Sequence, residues 1–240
     1  MKLMLSMAIL APLFLGFGCS STSDSDDPDP LPYPDIDGLV VYYPFDGNLE
    51  NAVADEHHGS VERSALYVDD RLGRAESAVH VSDEFIIVPD HADLDITAAI
   101  TLATWVKPEL SNLAYCAVID KGSSDGYSLG VHGGSAPDLE SIKGFINGEF
   151  FHTEDLVPFG QDQWSHIAFT YRESAPQAKF FLNGAPVDSS SVDVEFNMND
   201  KDLRIGVSFH GDRYIGAIDN AAIFDRALSD AEVAELCEFE

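Results

Sequence analysis

Two Asn-Gly pairs constrain the fold of this chain more than any other feature. Asn147-Gly148 lies between Gly144-Phe145-Ile146 and Glu149-Phe150-Phe151, and Asn183-Gly184 lies between Phe180-Phe181-Leu182 and Ala185-Pro186-Val187. Asn and Gly accept the positive φ angles of a two-residue type I′ turn, whose twist matches that of paired strands. Each pair therefore predicts an antiparallel hairpin. Further short runs of β-branched and aromatic residues recur between clusters of Gly, Asp, Asn and Ser, at 39–45, 78–81, 85–88, 100–107, 114–119, 127–131, 164–171, 179–182 and 203–205. Short strands separated by turn signals predict an all-β, two-sheet antiparallel jelly-roll sandwich. One helix is visible near the C-terminus. Ser229-Asp230-Ala231-Glu232 has the spacing of a capping box, and Val233 and Leu236 give the helix one apolar face.

Charge narrows the partners. The chain has 13 Lys and Arg against 42 Asp and Glu, a formal net charge of −29. A nucleic-acid binder needs cationic side chains to displace phosphate counterions, and a basic face is equally needed for docking on anionic lipid. Both classes are excluded. With 45% hydrophobic and 10% aromatic residues, the chain still has the means to build an ordinary core under its acidic surface.

The first 37 residues have a different character. Lys2 precedes sixteen uncharged residues, Leu3 to Gly18. That is short of the roughly 20 apolar residues of a membrane-spanning helix but suits an export signal over residues 1–18. Cys19, followed by Ser20-Ser21-Thr22-Ser23, resembles the lipid-bearing cysteine of a bacterial lipoprotein. Gly16 and Phe17 depart from the usual lipoprotein pattern, and Gly16 and Gly18 equally satisfy the small-x-small rule of an ordinary signal peptidase. Both cuts fall before Cys19. Ser20 to Asp37 holds six aspartates and four prolines, so residues 19–37 read as an extended acidic tether. The expectation is an exported protein, lipid-anchored to the cell envelope at the outer membrane or cell surface, meeting the membrane only through that lipid. Cys116 and Cys237 remain as a candidate disulfide or as two small buried thiols.

Residues 38–240 carry a family resemblance. The stretches Leu39-Val-Val-Tyr-Tyr-Pro-Phe-Asp-Gly-Asn48, His58-Gly59, Leu72-Gly-Arg-Ala-Glu-Ser-Ala-Val79, Ile87-Val88-Pro89-Asp90 and Leu94-Asp95-Ile96 come first. Thr101-Leu-Ala-Thr-Trp-Val-Lys-Pro108, Lys121-Gly122, Gln163-Trp-Ser-His-Ile-Ala-Phe-Thr-Tyr171, Phe181-Leu-Asn-Gly184, Gly216-Ala-Ile-Asp219 and Ile223-Phe-Asp-Arg-Ala-Leu-Ser229 follow. Together, over about residues 39–236, they resemble the laminin-G-like/pentraxin branch of the concanavalin A-like lectin/glucanase superfamily. The resemblance implies a two-sheet antiparallel jelly roll. Trp105 and Trp164 read as core, because the strand around Trp105 carries apolar side chains on both faces.

Catalytic members of that superfamily carry Glu-x-Asp-x-x-Glu on one strand, which alternation turns to one face. No Glu here has Asp two residues on. Gly122-Ser-Ser-Asp-Gly126 matches G-x-S-x-G in letters only, since a strand and not a helix follows it. The histidines form no helical H-x-x-x-H, and only His57 and His58 are adjacent, which gives a zinc site little support. The resemblance implies a structural Ca²⁺ where the first and last strands meet. Asp46 and Asp219 would give side chains, and Asn48 and His58 carbonyls, with Asn220 standing where a second acid is common. For a sugar, Tyr127, His132, His210, Arg213 and Tyr214 offer aromatic faces and polar groups.

The expected function is a non-catalytic carbohydrate-binding or adhesion module of the cell envelope that takes a polysaccharide, glycan or surface protein. A protein-protein adhesion or scaffold module is the alternative, and a cryptic glycoside hydrolase the second. The sequence does not fix the oligomeric state.

Overall fold

The computed structural model describes residues 33–109, 115–133, 140–154 and 161–239. The export signal, Cys19 and the tether as far as residue 32 lie outside the described residues, as does most of the loop after His132.

In chain order the strands are β1 (Leu39–Tyr43), β2 (Leu66–Val68), β3 (Ala78–Val81), β4 (Ile86–Val88), β5 (Ala99–Pro108), β6 (Cys116–Asp120), β7 (Tyr127–Gly133), β8 (Glu140–Ile146), β9 (Glu149–His152), β10 (Ser165–Arg172), β11 (Gln177–Leu182), β12 (Ala185–Ser190), β13 (Leu203–Ile205) and β14 (Gly216–Phe224). A 3₁₀ turn covers Ala92–Leu94, and helix α1 covers Asp230–Glu238. The larger sheet runs β12-β11-β10-β5-β14-β3-β2 with β1 also on β14, and the smaller runs β4-β13-β6-β7-β8-β9. Every strand pair is antiparallel. This is the expected jelly-roll sandwich with one short C-terminal helix.

Both Asn-Gly pairs form their hairpins. Asn147 and Gly148 have φ of 48° and 80°, and Asn183 and Gly184 have 49° and 75°, which gives β8-β9 and β11-β12 their tight turns. The main core lies between the sheets, with Val41, Ile86, Leu102, Leu129, Ile142, Phe169 and Ile218 among its fully or almost fully buried members. Gly144 lets the sheets approach closely. A Cβ there would sit 2.7 Å from the ring of Phe169 on β10, closer than any side chain tolerates.

A second apolar cluster covers the outer face of the larger sheet. Tyr42, Ala103, Ala168, Phe181, Ala222 and Phe224 meet Leu228 and the Val233 and Leu236 face of α1. Ile36 belongs to this cluster, and the Asp37 carbonyl accepts a hydrogen bond from Arg226 Nε at 2.7 Å. The last residues of the acidic segment are therefore part of the domain, which begins ahead of residue 38.

The capping box of α1 forms as expected. Ser229 Oγ accepts from the Glu232 N–H at 3.3 Å, and Glu232 Oε2 accepts from the Ser229 N–H at 2.8 Å. Arg226, and then those same bonds, hold the Glu232 carboxyl down at about 2. Ser229→Ala should cost about 1 kcal/mol, read from the urea midpoint. An unchanged midpoint would mean that packing alone holds the helix.

Three expectations change, and one open alternative is decided. Trp105 and Trp164 are only half-buried, and they line an open hollow on the outer face of the larger sheet with Arg71, Leu72, Cys237 and Glu238. Trp105 alternates with Thr104 and Val106, so the inward positions of β5 go to its smaller neighbours. No disulfide joins Cys116 and Cys237. Cys116 points into the core between the sheets, whereas Cys237 rides on α1 outside the larger sheet. Tyr127 is core, with its hydroxyl donating to the Leu94 carbonyl at 3.1 Å. Tyr214 is also core, and its hydroxyl lies 3.3 Å from the Ala217 carbonyl. Neither tyrosine can stack on a ligand.

Candidate functional site

Strand alternation writes one row of side chains across the outer face of the smaller sheet. Ile87, Arg204, Asp120, Ser128, Phe145 and Phe150 are register partners in succession through β4, β13, β6, β7, β8 and β9. Residues opposite one another share a face, and Leu129, Ile142, Ile146 and Phe151 take the inward positions. With strands about 4.8 Å apart, the row spans about 24 Å. Its two ends are aromatic and cationic.

At one end the rings of Tyr115, Phe145, Phe150 and His152 follow one another with centroids 5.1, 5.0 and 5.1 Å apart. The Phe150 and His152 planes are near parallel, at 28°. Lys143, the register partner of His152, sets its Nζ 4.8 Å from the centroid of Phe150. Gly130 leaves the room that Tyr115 fills, since a Cβ on it would lie 2.8 Å from that ring. Ser128 Oγ donates to the Ile119 carbonyl at 3.0 Å, which leaves it to accept from the Tyr115 hydroxyl at 2.8 Å. Partial burial lowers the Lys143 pKa, and burial followed by the nearby Lys143 charge lowers that of His132. His132 on β7 faces outward opposite Ser141 and is neutral at pH 7, so it can both donate and accept. Phe150 is 40% exposed. Phe150 and His152 are exposed and Tyr115 and Phe145 half-buried, and such an aromatic row with adjacent amino and imidazole donors is suited to the apolar face and the hydroxyls of a sugar.

At the other end Arg204 lies with its Cζ 3.8 Å from the centroid of Phe209 and 5.9 Å from that of Phe85. Arg213 lies 5.4 Å from Phe85 and donates to the carbonyls of Ser82 and Asp83 at 3.3 and 2.6 Å. Arg213 thus ties the 82–85 segment to the 209–213 segment. His210 is exposed beside it. Between the two ends, Asp120 is fully buried and accepts from the Gly122 and Phe209 N–H groups at 2.8 and 3.0 Å. Burial outweighs these bonds and raises its pKa.

Of the four calcium candidates, the buried Asp219 already has a counter-charge. Asp219 is buried, and Arg71 supplies a fixed cation 3.4 Å from its Oδ2, the guanidinium being held by the Phe239 carbonyl at 2.5 Å and by the Trp105 face. Asn48 closes its own turn, donating to the Asp46 carbonyl and accepting from the Glu50 N–H. The exposed Asp46 carboxylate is near enough to raise the Asp219 pKa, with Arg71 opposing it. His58 Nδ1 accepts from the Asn51 N–H, and its Nε2 faces Asp55. Calcium needs six to eight oxygens, and a guanidinium at the one buried carboxylate opposes a divalent ion there. With Arg71 beside it, Asp219 does not fit the ion.

Of the ligand candidates, His132, His210 and Arg213 lie on or beside the row, whereas Tyr127 and Tyr214 are core. Tyr115, Lys143, Phe145, Phe150 and His152 were missed. For all but Tyr115 the signal was present, because the Asn147-Gly148 turn pairs 145 with 150 and 143 with 152.

Residues 81–234 match the Laminin_G_3 family model, described as the concanavalin A-like lectin/glucanases superfamily. No curated protein matches the chain in sequence. Among solved structures, domain 4 of AbnA, a GH43 extracellular arabinanase from Geobacillus stearothermophilus in complex with arabinotriose, is similar with a TM-score of 0.68 and 18% identity. The match covers 83% of this chain and 98% of that one. The binding domain of Paraclostridial Mosquitocidal Protein 1 follows at 0.65 and 16% identity, over 84% and 52%. Botulinum neurotoxin type C, whose cell entry depends on interaction with two ganglioside molecules, gives 0.61 and 13%, over 84% and 51%. This chain spans about half the length of the two toxin chains. At these identities the likeness shows the fold, whereas the family match covers more than half of the sequence. The chain belongs to the concanavalin A-like lectin/glucanase superfamily.

Proposed function

We propose that the chain is a non-catalytic carbohydrate-binding module that holds an extended, uncharged glycan across the outer face of its smaller sheet. The observation that carries this reading is the row of Tyr115, Phe145, Phe150 and His152 with Lys143 at its centre. The rings meet sugar C–H faces, and Lys143, His132 and His152 meet hydroxyls. The net charge of −29 disfavours sulfated and uronic polymers. Neighbours in complex with arabinotriose or dependent on gangliosides support a sugar ligand. A glycosidase needs two acids flanking the scissile bond, and the carboxylate in the row, Asp120, spends its oxygens on backbone amides. Export and lipidation at Cys19 complete the proposal and would place the module on the cell envelope.

Calorimetry of the full chain against neutral oligosaccharides, with arabinotriose as the first probe, tests the reading. Phe150→Ala should weaken binding about five- to tenfold, and Leu66→Ser on the larger sheet should leave it unchanged. Equal affinity in the Phe150 variant would move the site elsewhere. Capture of a protein with no glycan bound would favour the adhesion alternative, and release of reducing sugar would overturn the non-catalytic assignment.

A further inference from the structure

Two segments remote in sequence bring histidines and carboxylates together at one end of the sandwich. Glu56 and His57 lie between β1 and β2, while His91 and Asp93 stand at the 3₁₀ turn after β4. Asp93 Oδ2 is 3.1 Å from His57 Nε2 and 3.3 Å from His91 Nδ1, and Glu56 Oε2 is 4.0 Å from His57 Nε2. One donor atom from each of the four residues falls within 4.8 Å of all the others. The imidazole centroids are 4.4 Å apart. The His57 side chain is only 7% exposed, and its carbonyl is fixed by the buried Tyr43 hydroxyl at 2.6 Å.

These distances suit a small divalent ion. Tetrahedral coordination with bonds of about 2.0 Å puts neighbouring donor atoms about 3.3 Å apart, close to the two shortest separations. His91 Nδ1 accepts the Asp93 N–H at 3.2 Å as the cap of the 3₁₀ turn and also faces Asp93 Oδ2 at 3.3 Å. Its single lone pair serves either the cap or a cation, so binding an ion there exchanges the cap bond for a metal bond.

The geometry points to a zinc-class divalent cation site built from Glu56, His57, His91 and Asp93 that pins the loop after β1 to the turn after β4. Imidazole nitrogen with carboxylate oxygen favours zinc, copper or nickel over the oxygen-seeking calcium. The absence of a helical H-x-x-x-H does not bear on it, because the two histidines come from different loops. The site is independent of the glycan face.

The test is titration of the EDTA-stripped, untagged full chain with zinc chloride by calorimetry. One equivalent should bind with a Kd of about 1 µM or below. His57→Asn keeps a residue suited to the left-handed φ of 61° at that position, and His91→Ser keeps a capping oxygen. Each should weaken zinc binding about 100-fold or more, His210→Asn should not, and millimolar calcium should not compete. Co²⁺ added to the unaltered protein should give the intense visible absorption of a tetrahedral site, which needs no variant to fold. Lack of stoichiometric zinc uptake, or uptake unchanged in both variants, would overturn the site.

Discussion

Lys121→Ala is expected to destabilise the domain by about 3–5 kcal/mol, a large part of the 5–15 kcal/mol typical of a folded domain. The Lys121 side chain is 1% exposed, yet its ammonium is satisfied: Nζ donates to Asp90 Oδ1 at 2.7 Å, Asp95 Oδ1 at 3.0 Å and the Asn199 carbonyl at 2.9 Å. It thereby ties the end of β6 to the turn after β4 and to the 199–201 segment. Removing it leaves two carboxylates facing each other without the cation that compensates them. Lys121→Met should lose almost as much, because it restores the aliphatic stem but not the charge. Asp90→Asn should lose only about 1 kcal/mol, since Asp95 remains. Urea unfolding decides the matter. A loss below about 1 kcal/mol for Lys121→Ala would show that water replaces the ammonium and that the network is not structural.

The fold was legible in the sequence because its signals are local. Each Asn-Gly pair fixes a turn by backbone sterics alone, and Ser229 with Glu232 fixes a helix start within four residues. Trp105 was harder. Alternation makes the face of a residue readable, but not whether a helix covers that face, and α1 covers the second apolar cluster while leaving Trp105 and Trp164 at its margin. The aromatic row lay midway between these cases, since Phe145 and Phe150 follow from the hairpin whereas Tyr115 and Arg204 join only through pairings of β6 with β7 and β13. Arg71 could not be foreseen at Asp219, 148 positions away. The sequence showed acids where calcium was expected, and the structure supplies the counter-charge from a loop that no motif marks. The meeting of His57 and His91 was hidden for the same reason.

Asp219→Asn and His166→Gln should tilt the pH dependence of stability in opposite directions. Both residues sit on the outer face of the larger sheet as register partners of Trp105, on β14 and β10. Burial, partly opposed by Arg71 and reinforced by Asp70 and Asp46, pushes the Asp219 carboxyl up to about 7. Burial and then the Arg71 charge push the His166 imidazole down to about 3, and its Nδ1 has no hydrogen-bond partner among the described residues. The folded protein therefore keeps a proton on Asp219 that the unfolded chain releases near 3.8, so this group lowers stability as pH rises from about 4 to 7. The unfolded chain takes a proton on His166 below about 6.5 that the folded protein refuses, so that group lowers stability as pH falls from about 6.5 to 3. Between about 4 and 6.5 the two contributions oppose each other and nearly cancel. Relative to the unaltered protein, Asp219→Asn should therefore gain stability with rising pH across that window, by roughly 1 to 1.5 kcal/mol per pH unit. His166→Gln should lose stability with rising pH by a similar amount, since only Asp219 then titrates. Urea midpoints at several pH values between 4.5 and 6.5 read both slopes, and curves parallel to that of the unaltered protein would show that neither group titrates differently on folding.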